Sequence, residues 1–229
     1  MSAERCVPGD ACVRAHSGRQ IDRFFRANRE TAAAYLRDEF WERRAIAVRY
    51  APLETVGDLA GDVDETVRRA VVLRLLPQDL MSMLCDPDRE VRITIAQRLD
   101  ADNLHKMLGD PDYMVRVIVA CRIAHGKLPR LAQDPDREVR KTVAERLPSF
   151  ALARMLADPE AEVRCIVARR ALPEMATRLL HDPDWTVRLA AVGNAPRDDV
   201  RALLDDPEPD VRHAAWERIA AKDNNLESP

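Results

Sequence analysis

An all-α solenoid of about eight 24-residue repeats is the fold this sequence predicts, and three observations predict it. The heptad Asp-Pro-Asp-Arg-Glu-Val-Arg at 86–92 returns in close copies starting at Asp110, Asp134, Asp158, Asp182 and Asp206. Weaker copies start at Asp62 and Asp38, on the same 24-residue ruler. Within a unit the apolar residues keep a helical period, as Val91, Ile95, Ala96 and Leu99 do in the unit from Asp86. The period is also too short for the two full antiparallel helices of repeats of roughly 34–47 residues. Each unit therefore holds one α-helix and one short element, read as 3-10. No unit alternates β-branched residues with period two, so no β-sheet is expected.

Taken in order, residues 1–20 carry a cysteine pair, 19–37 read as a capping helix, 38–221 as the solenoid and 222–229 as a polar tail. The cap is needed because a repeat array must cover its exposed apolar end, and Ile21, Phe24, Phe25, Ala32, Tyr35 and Leu36 supply the stripe. In each repeat the Asp-Pro pair reads as N-cap and first helical residue, since Asp accepts from a free amide and Pro has none to waste. Pro52, Pro77, Pro148, Pro173 and Pro196 bar continuation of their helices. A second apolar set then follows, such as Leu80/Met83/Leu84, Leu104/Met107/Leu108 and Leu152/Met155/Leu156. Trp216 stands where the middle units carry Ala96, Ala120, Ala144 and Ala168, and is expected to plug the far end.

Composition narrows the function. With 46% apolar residues, 33% charged ones and a net charge of -3, a strongly basic nucleic-acid binder is not the leading class. No apolar stretch approaches the ~20 residues that span a bilayer. Met1 is followed by Ser-Ala-Glu-Arg, which does not read as a secretory signal, so a cytoplasmic location is expected. In a reducing compartment an odd set of five cysteines points to metal more readily than to disulfides.

Chemistry concentrates at the N-terminus. In Cys6-Val-Pro-Gly-Asp-Ala-Cys12 the Pro and Gly force a tight turn that brings two thiolates toward one metal. Two thiolates are half of the usual four-ligand set. Cys85, Cys121 and Cys165 fall at unlike positions of three repeats and read as packing or surface cysteines, with His16 a further candidate ligand. No catalytic constellation is present, and a non-enzymatic role is expected. Arg44, Arg68, Arg92, Arg116, Arg140, Arg164, Arg188 and Arg212 form one row at the seventh position of every repeat. They read as a structural ladder, each pairing with an Asp of its own or the next heptad. Nucleic-acid binding along this row is disfavoured because the residues beyond 50 carry more acid than base. Tyr113, Met114, Val117 and Cys121 stand where the next repeat has Arg137, Glu138, Lys141 and Glu145, and mark a candidate face for a protein partner.

The period, the Asp-Pro-Asp-x-x-Val-Arg heptad and the later Leu-x-x-Leu-Leu pattern over 38–221 resemble the leucine-rich repeat variant family of bacterial proteins. The resemblance implies a right-handed superhelix alternating α- and 3-10 helices. It also implies an N-terminal iron–sulfur (4Fe-4S) cysteine module, to whose latter part Cys6 and Cys12 correspond, with further ligands upstream of Met1. The resemblance itself assigns no activity; with such a module the solenoid reads as docking an unidentified protein, coupled to redox sensing or electron transfer. The alternative is a plain protein–protein interaction scaffold without an intact cluster.

Overall fold

The computed structural model describes residues 6, 7 and 9–221, so the polar tail expected at 222–229 lies outside the described residues. Among the described residues there is no sheet. Helices are joined by short turns, and one isolated antiparallel bridge links Val7 to Ala11. The chain forms two compact units, residues 1–119 and 120–229.

Eight repeat helices carry the fold: Trp41–Val48, Glu65–Arg74, Arg89–Arg98, Tyr113–Arg122, Arg137–Arg146, Ala161–Arg170, Trp185–Val192 and Pro209–Ala220. Their start differs from the sequence expectation. The capping acid is the second Asp of the heptad: Asp88 Oδ1 accepts from the amides of Glu90 (2.9 Å) and Val91 (3.1 Å). Asp64, Asp136 and Asp184 cap in the same way. The first Asp instead shapes the turn ahead of the helix, where Asp86 Oδ1 accepts from the Asp88 amide at 2.9 Å. Proline between them fits this turn better than a helical first position, because it stiffens the entry while the second Asp keeps extended backbone angles.

The helices Glu65–Arg74, Arg89–Arg98 and Arg137–Arg146 end on Leu75, Leu99 and Leu147, buried residues with extended backbone, whereas Arg49 and Gly193, after Trp41–Val48 and Trp185–Val192, stay in the helical region. The second element is 3-10 over Gly57–Gly61, Pro77–Met83, Leu104–Met107, His125–Leu131 and Ser149–Met155. It is α-helical over Pro173–Leu179, where the Ala176 amide reaches back four residues to the Leu172 carbonyl at 3.1 Å.

The inward rows are closed to solvent. Val91, Ile95, Ala96 and Leu99 are fully buried, as are Leu80, Leu104, Leu128 and Leu152 of the second element. At roughly 1.5–3 kcal/mol for each fully buried large aliphatic side chain, these rows are the main stabilising term. In the first unit the helix Gly18–Ala27 packs on Trp41–Val48, which packs on Glu65–Arg74, which packs on Arg89–Arg98. In the second, Arg137–Arg146, Ala161–Arg170, Trp185–Val192 and Pro209–Ala220 follow each other in the same way.

The cap is two elements where one helix was expected. Gly18–Ala27 buries Ile21, Phe24 and Phe25, and a 3-10 turn over Arg29–Tyr35 buries Ala32. Asn28 makes the break, its amide group and backbone N–H both donating to the Phe24 carbonyl. Trp216 is 59% exposed and plugs nothing among the described residues.

Candidate functional site

The N-terminal segment is a tight hairpin. Val7 and Ala11 exchange both backbone hydrogen bonds, each 2.9 Å, and the Asp10 amide donates to the Val7 carbonyl at 3.0 Å. Gly9 closes the loop at φ +80, a conformation costly for any residue with a Cβ. The bridge is confined to Val7 and Ala11, and Cys6 and Cys12 are the residues that flank it in sequence. The Cys12 amide donates to the Gln20 carbonyl at 3.2 Å.

The hairpin is braced against the capping helix. Gln20 Nε2 donates to the Gly9 carbonyl at 2.8 Å, and Arg23 forms an ion pair with Asp10. Ala11 and Val13 are buried, Cys12 is half-buried and Cys6 is exposed. Both cysteines carry thiols, not a disulfide.

A four-iron cluster takes four thiolates. Among the described residues no three of His, Cys, Asp and Glu come together as a metal site. His16 sits edge-on to Phe40, with ring centroids 5.7 Å apart. Cys85 and Cys121 are exposed, and Cys165 is buried with its Sγ 3.5 Å from Thr186 Oγ1. Among the described residues no further candidate ligand groups with Cys6 and Cys12 as a metal site. These residues supply half of a four-thiolate set and do not complete one.

The arginine row lies in the repeat junctions. Arg44, Arg68, Arg92, Arg140, Arg164 and Arg188 each donate from Nε and Nη2 to both oxygens of the Asp eighteen residues on: Asp62, Asp86, Asp110, Asp158, Asp182 and Asp206. Nη1 meanwhile donates to the backbone carbonyl of the Asp that opens the residue's own repeat, as Arg116 does to Asp110 at 2.8 Å. In Arg212 the same Nη1 reaches the carbonyls of Asp206 and Pro207, and no described residue offers it a carboxylate. Asp206 lies below its ordinary pKa because Arg188 hydrogen-bonds it, against the opposing effect of burial. At Asp62 burial pushes the carboxyl up, but the Arg44 hydrogen bond and the Asp64 amide together hold it below the ordinary value.

A second arginine row does work that local sequence does not reveal. Arg74 Nη1 donates to the Val48 carbonyl (2.8 Å), Arg98 to that of Val72, Arg146 to those of Ala120 and Ile123, and Arg170 to those of Ala144 and Leu147. Each guanidinium satisfies the last carbonyls of the preceding helix, groups a helix cannot pair by itself. Asn194 interrupts the row in sequence yet fills the same place, its Nδ2 donating to Ala168 (3.0 Å) and Ala171 (2.6 Å). The signal available in advance was the 24-residue spacing itself.

On the helix Tyr113–Arg122, Tyr113 and Met114 are 39% and 37% exposed, Cys121 is exposed and Val117 is half-buried. The side chains three, four and seven residues apart share one face of that helix.

Helices in tandem 24-residue register, with an arginine–aspartate pair joining successive repeats within each unit, define a helical repeat solenoid. The particular kind follows from comparison with known proteins. The family model described as leucine rich repeat variant matches residues 137–160 and 185–208. A solved structure, "a leucine-rich repeat variant with a novel repetitive protein structural motif", is 55% identical, covers 93% of this chain and 91% of its own, and superposes with a TM-score of 0.88. The chain belongs to the leucine-rich repeat variant family. An engineered protein at 14% identity, covering 90% of this chain and 85% of its own, reaches a TM-score of 0.39. A designed armadillo repeat protein in complex with the peptide (KR)4, at 13% identity and 82% and 98% coverage, reaches 0.26. No curated protein matches the chain. No helix of the described residues is long and apolar enough to cross a membrane.

Proposed function

We propose that this chain is a non-enzymatic docking scaffold whose repeats present the Tyr113–Met114–Val117–Cys121 face to a protein partner. The observation that carries the reading is the exposure of Tyr113 and Met114 on a helix face where the next repeat places Arg137 and Glu138. A contiguous set of apolar and aromatic side chains on one helix face is the kind of surface a protein partner covers. Replacing Val117 by Glu is expected to abolish retention of partner proteins from a cell extract while leaving the thermal midpoint unchanged. Unchanged retention, or a midpoint lowered by several degrees, overturns it.

The pair Cys6 and Cys12 favours a second element of the function, a 4Fe-4S cluster that would couple docking to redox state. A bound cluster supplies one-electron transfer. This chain's contribution would be two thiolates, held at the braced turn of the hairpin, with the other two ligands on another polypeptide segment. Of the chain purified anaerobically alone and extended upstream in its reading frame, the extended version is expected to be brown, with about four irons per site. The colour is lost when Cys6 and Cys12 are replaced by Ser. Colourless protein from both versions leaves the plain scaffold.

A further inference from the structure

We infer that Arg130, Arg154 and Arg178, together with Phe150, form a docking surface for an extended, proline-rich acidic segment of a partner protein that carries a carboxylate at every third residue. The surface shares no residue with the Tyr113–Met114–Val117–Cys121 face and does not depend on that reading.

The three arginines stand 24 residues apart at one position of the second element, in His125–Leu131, Ser149–Met155 and Pro173–Leu179. Buried residues pin each element: Leu128 and Leu131, Leu152 and Met155, Ala176 and Leu179. Each also packs on the helix that follows it, and those helices succeed one another within the second unit. The arginines therefore form a row with steps of about 8–10 Å. All three are exposed, and none has a hydrogen-bonding or carboxylate partner among the described residues. The same position in the first unit holds Asp58, Ser82 and Lys106.

The charge of the row is not cancelled nearby. Residues 125–133 and 149–157 hold no Asp or Glu, and 173–181 hold only Glu174. Asp158 and Asp182 follow soon after Arg154 and Arg178, but Arg140 and Arg164 of the ladder already take both oxygens of each. A guanidinium without a partner offers an incoming carboxylate the same two-pronged bond that the ladder makes inside the fold.

Spacing selects the form of the partner. A chain in polyproline II conformation repeats every three residues and rises about 3.1 Å at each, so every third side chain lies on one face with a step of about 9 Å. That step matches the arginine row. Phe150, 69% exposed on the same element as Arg154, adds a ring against which the prolines of such a segment pack. Nucleic acid fits less well. Phosphates of a duplex strand follow each other about every 3.4 Å along its axis, out of step with the row. Pro129, Ala153 and Thr177, immediately before the arginines, give no base a ring to stack on.

Fluorescence anisotropy of a labelled peptide of repeated Glu-Ser-Pro triplets, titrated with the reduced full chain at low ionic strength, tests the inference. Saturable binding is expected, weakening as salt is added, and tighter than that of a peptide of equal composition with its glutamates in one block. The variant carrying Arg130→Gln, Arg154→Gln and Arg178→Gln is expected to bind the triplet peptide about tenfold less tightly, because its exposed ion pairs are lost. Its thermal midpoint is expected to stay unchanged. Phe150→Ser is expected to weaken the triplet peptide severalfold. Absence of saturation, variants that bind as the unsubstituted chain does, or a block peptide or oligothymidylate that binds as tightly as the triplets overturns the inference. So does a midpoint lowered by several degrees in the triple variant, which would show the arginines to be supports of the fold.

Discussion

Arg140 donates from Nε to Asp158 Oδ2 at 2.8 Å and from Nη2 to Oδ1 at 3.1 Å, with its third nitrogen on the Asp134 carbonyl at 2.9 Å. The two side chains are only 8% and 4% exposed, so the pair sits in low dielectric and each charge depends on the other. Removing one partner strands the other. Arg140→Ala is expected to cost about 3–5 kcal/mol, lowering the thermal midpoint by roughly 10 °C for a chain of this length. Arg89, whose ion pairs lie on the surface, gives the contrast. Arg89→Ala is expected to cost less than about 0.5 kcal/mol, because water screens such pairs. Calorimetry of the two variants side by side checks the difference, and similar losses would refute the buried-ladder argument. The two aspartates of one heptad differ for a related reason. Asp88 only caps its helix, a contribution of about 1 kcal/mol. Asp86 shapes the turn and also receives Arg68, Nε to Oδ2 at 2.8 Å. Chemical denaturation is expected to show Asp86→Ala as the more damaging of the two.

At the scale of the element, the helix of each repeat and its short follower share one buried seam, and position along that seam decides what a side chain contributes. Leu128 lies in the 3-10 turn His125–Leu131 and is fully buried. Leu128→Ala is expected to cost about 2–5 kcal/mol through lost transfer energy and the cavity left behind. Trp216 occupies the row of Ala96 and Ala144 but is 59% exposed. Trp216→Ala is accordingly expected to change stability by no more than about 0.5 kcal/mol. Urea melts of both variants measure this, and a large loss at Trp216 would restore the end-plug expected from the sequence. The reason sequence reading misplaced Trp216 is physical. An apolar residue in a core row is buried only if another element covers that row, and in the last described helix none does. The hairpin shows the opposite case. Its spacing indicated a turn, and the bridge between Val7 and Ala11 sets where that turn closes.

For the molecule as a whole, the ladder makes stability depend on pH. Asp206 and Asp62 have folded-state values below the ordinary carboxylate value, which is about 3.9 in an unfolded chain. The unfolded chain thus binds protons first as acid is added. The stabilisation from these two is complete above about pH 5 and is lost as pH falls through 3.9 toward the lower folded values. The thermal midpoint is expected to stay nearly level from neutral pH to about 5 and to fall steeply below about 4. Replacing Arg188 by Met should flatten part of that fall, and an unaltered profile would show that Asp206 contributes nothing to it.

The heptad returning every 24 residues, the helical period and the placing of prolines were enough to derive eight repeats of one helix and one short element. Local patterns repeated many times determine local structure, and a period bounds how much of it fits. The buried residues Val91, Ile95, Ala96 and Leu99 followed from the same periodicity. The candidate site was legible only as a pair of cysteines around Pro and Gly. The bridge that closes their turn, the choice of the next heptad's Asp over the residue's own by ladder arginines such as Arg92, the carbonyls twenty-six residues behind Arg98 or Asn194, and the open side of Trp216 came from the tertiary structure. Those facts depend on which groups lie across a junction or a bridge. No periodicity within one strand of sequence carries that information, because a donor's reach is settled in space by the neighbour that folds against it.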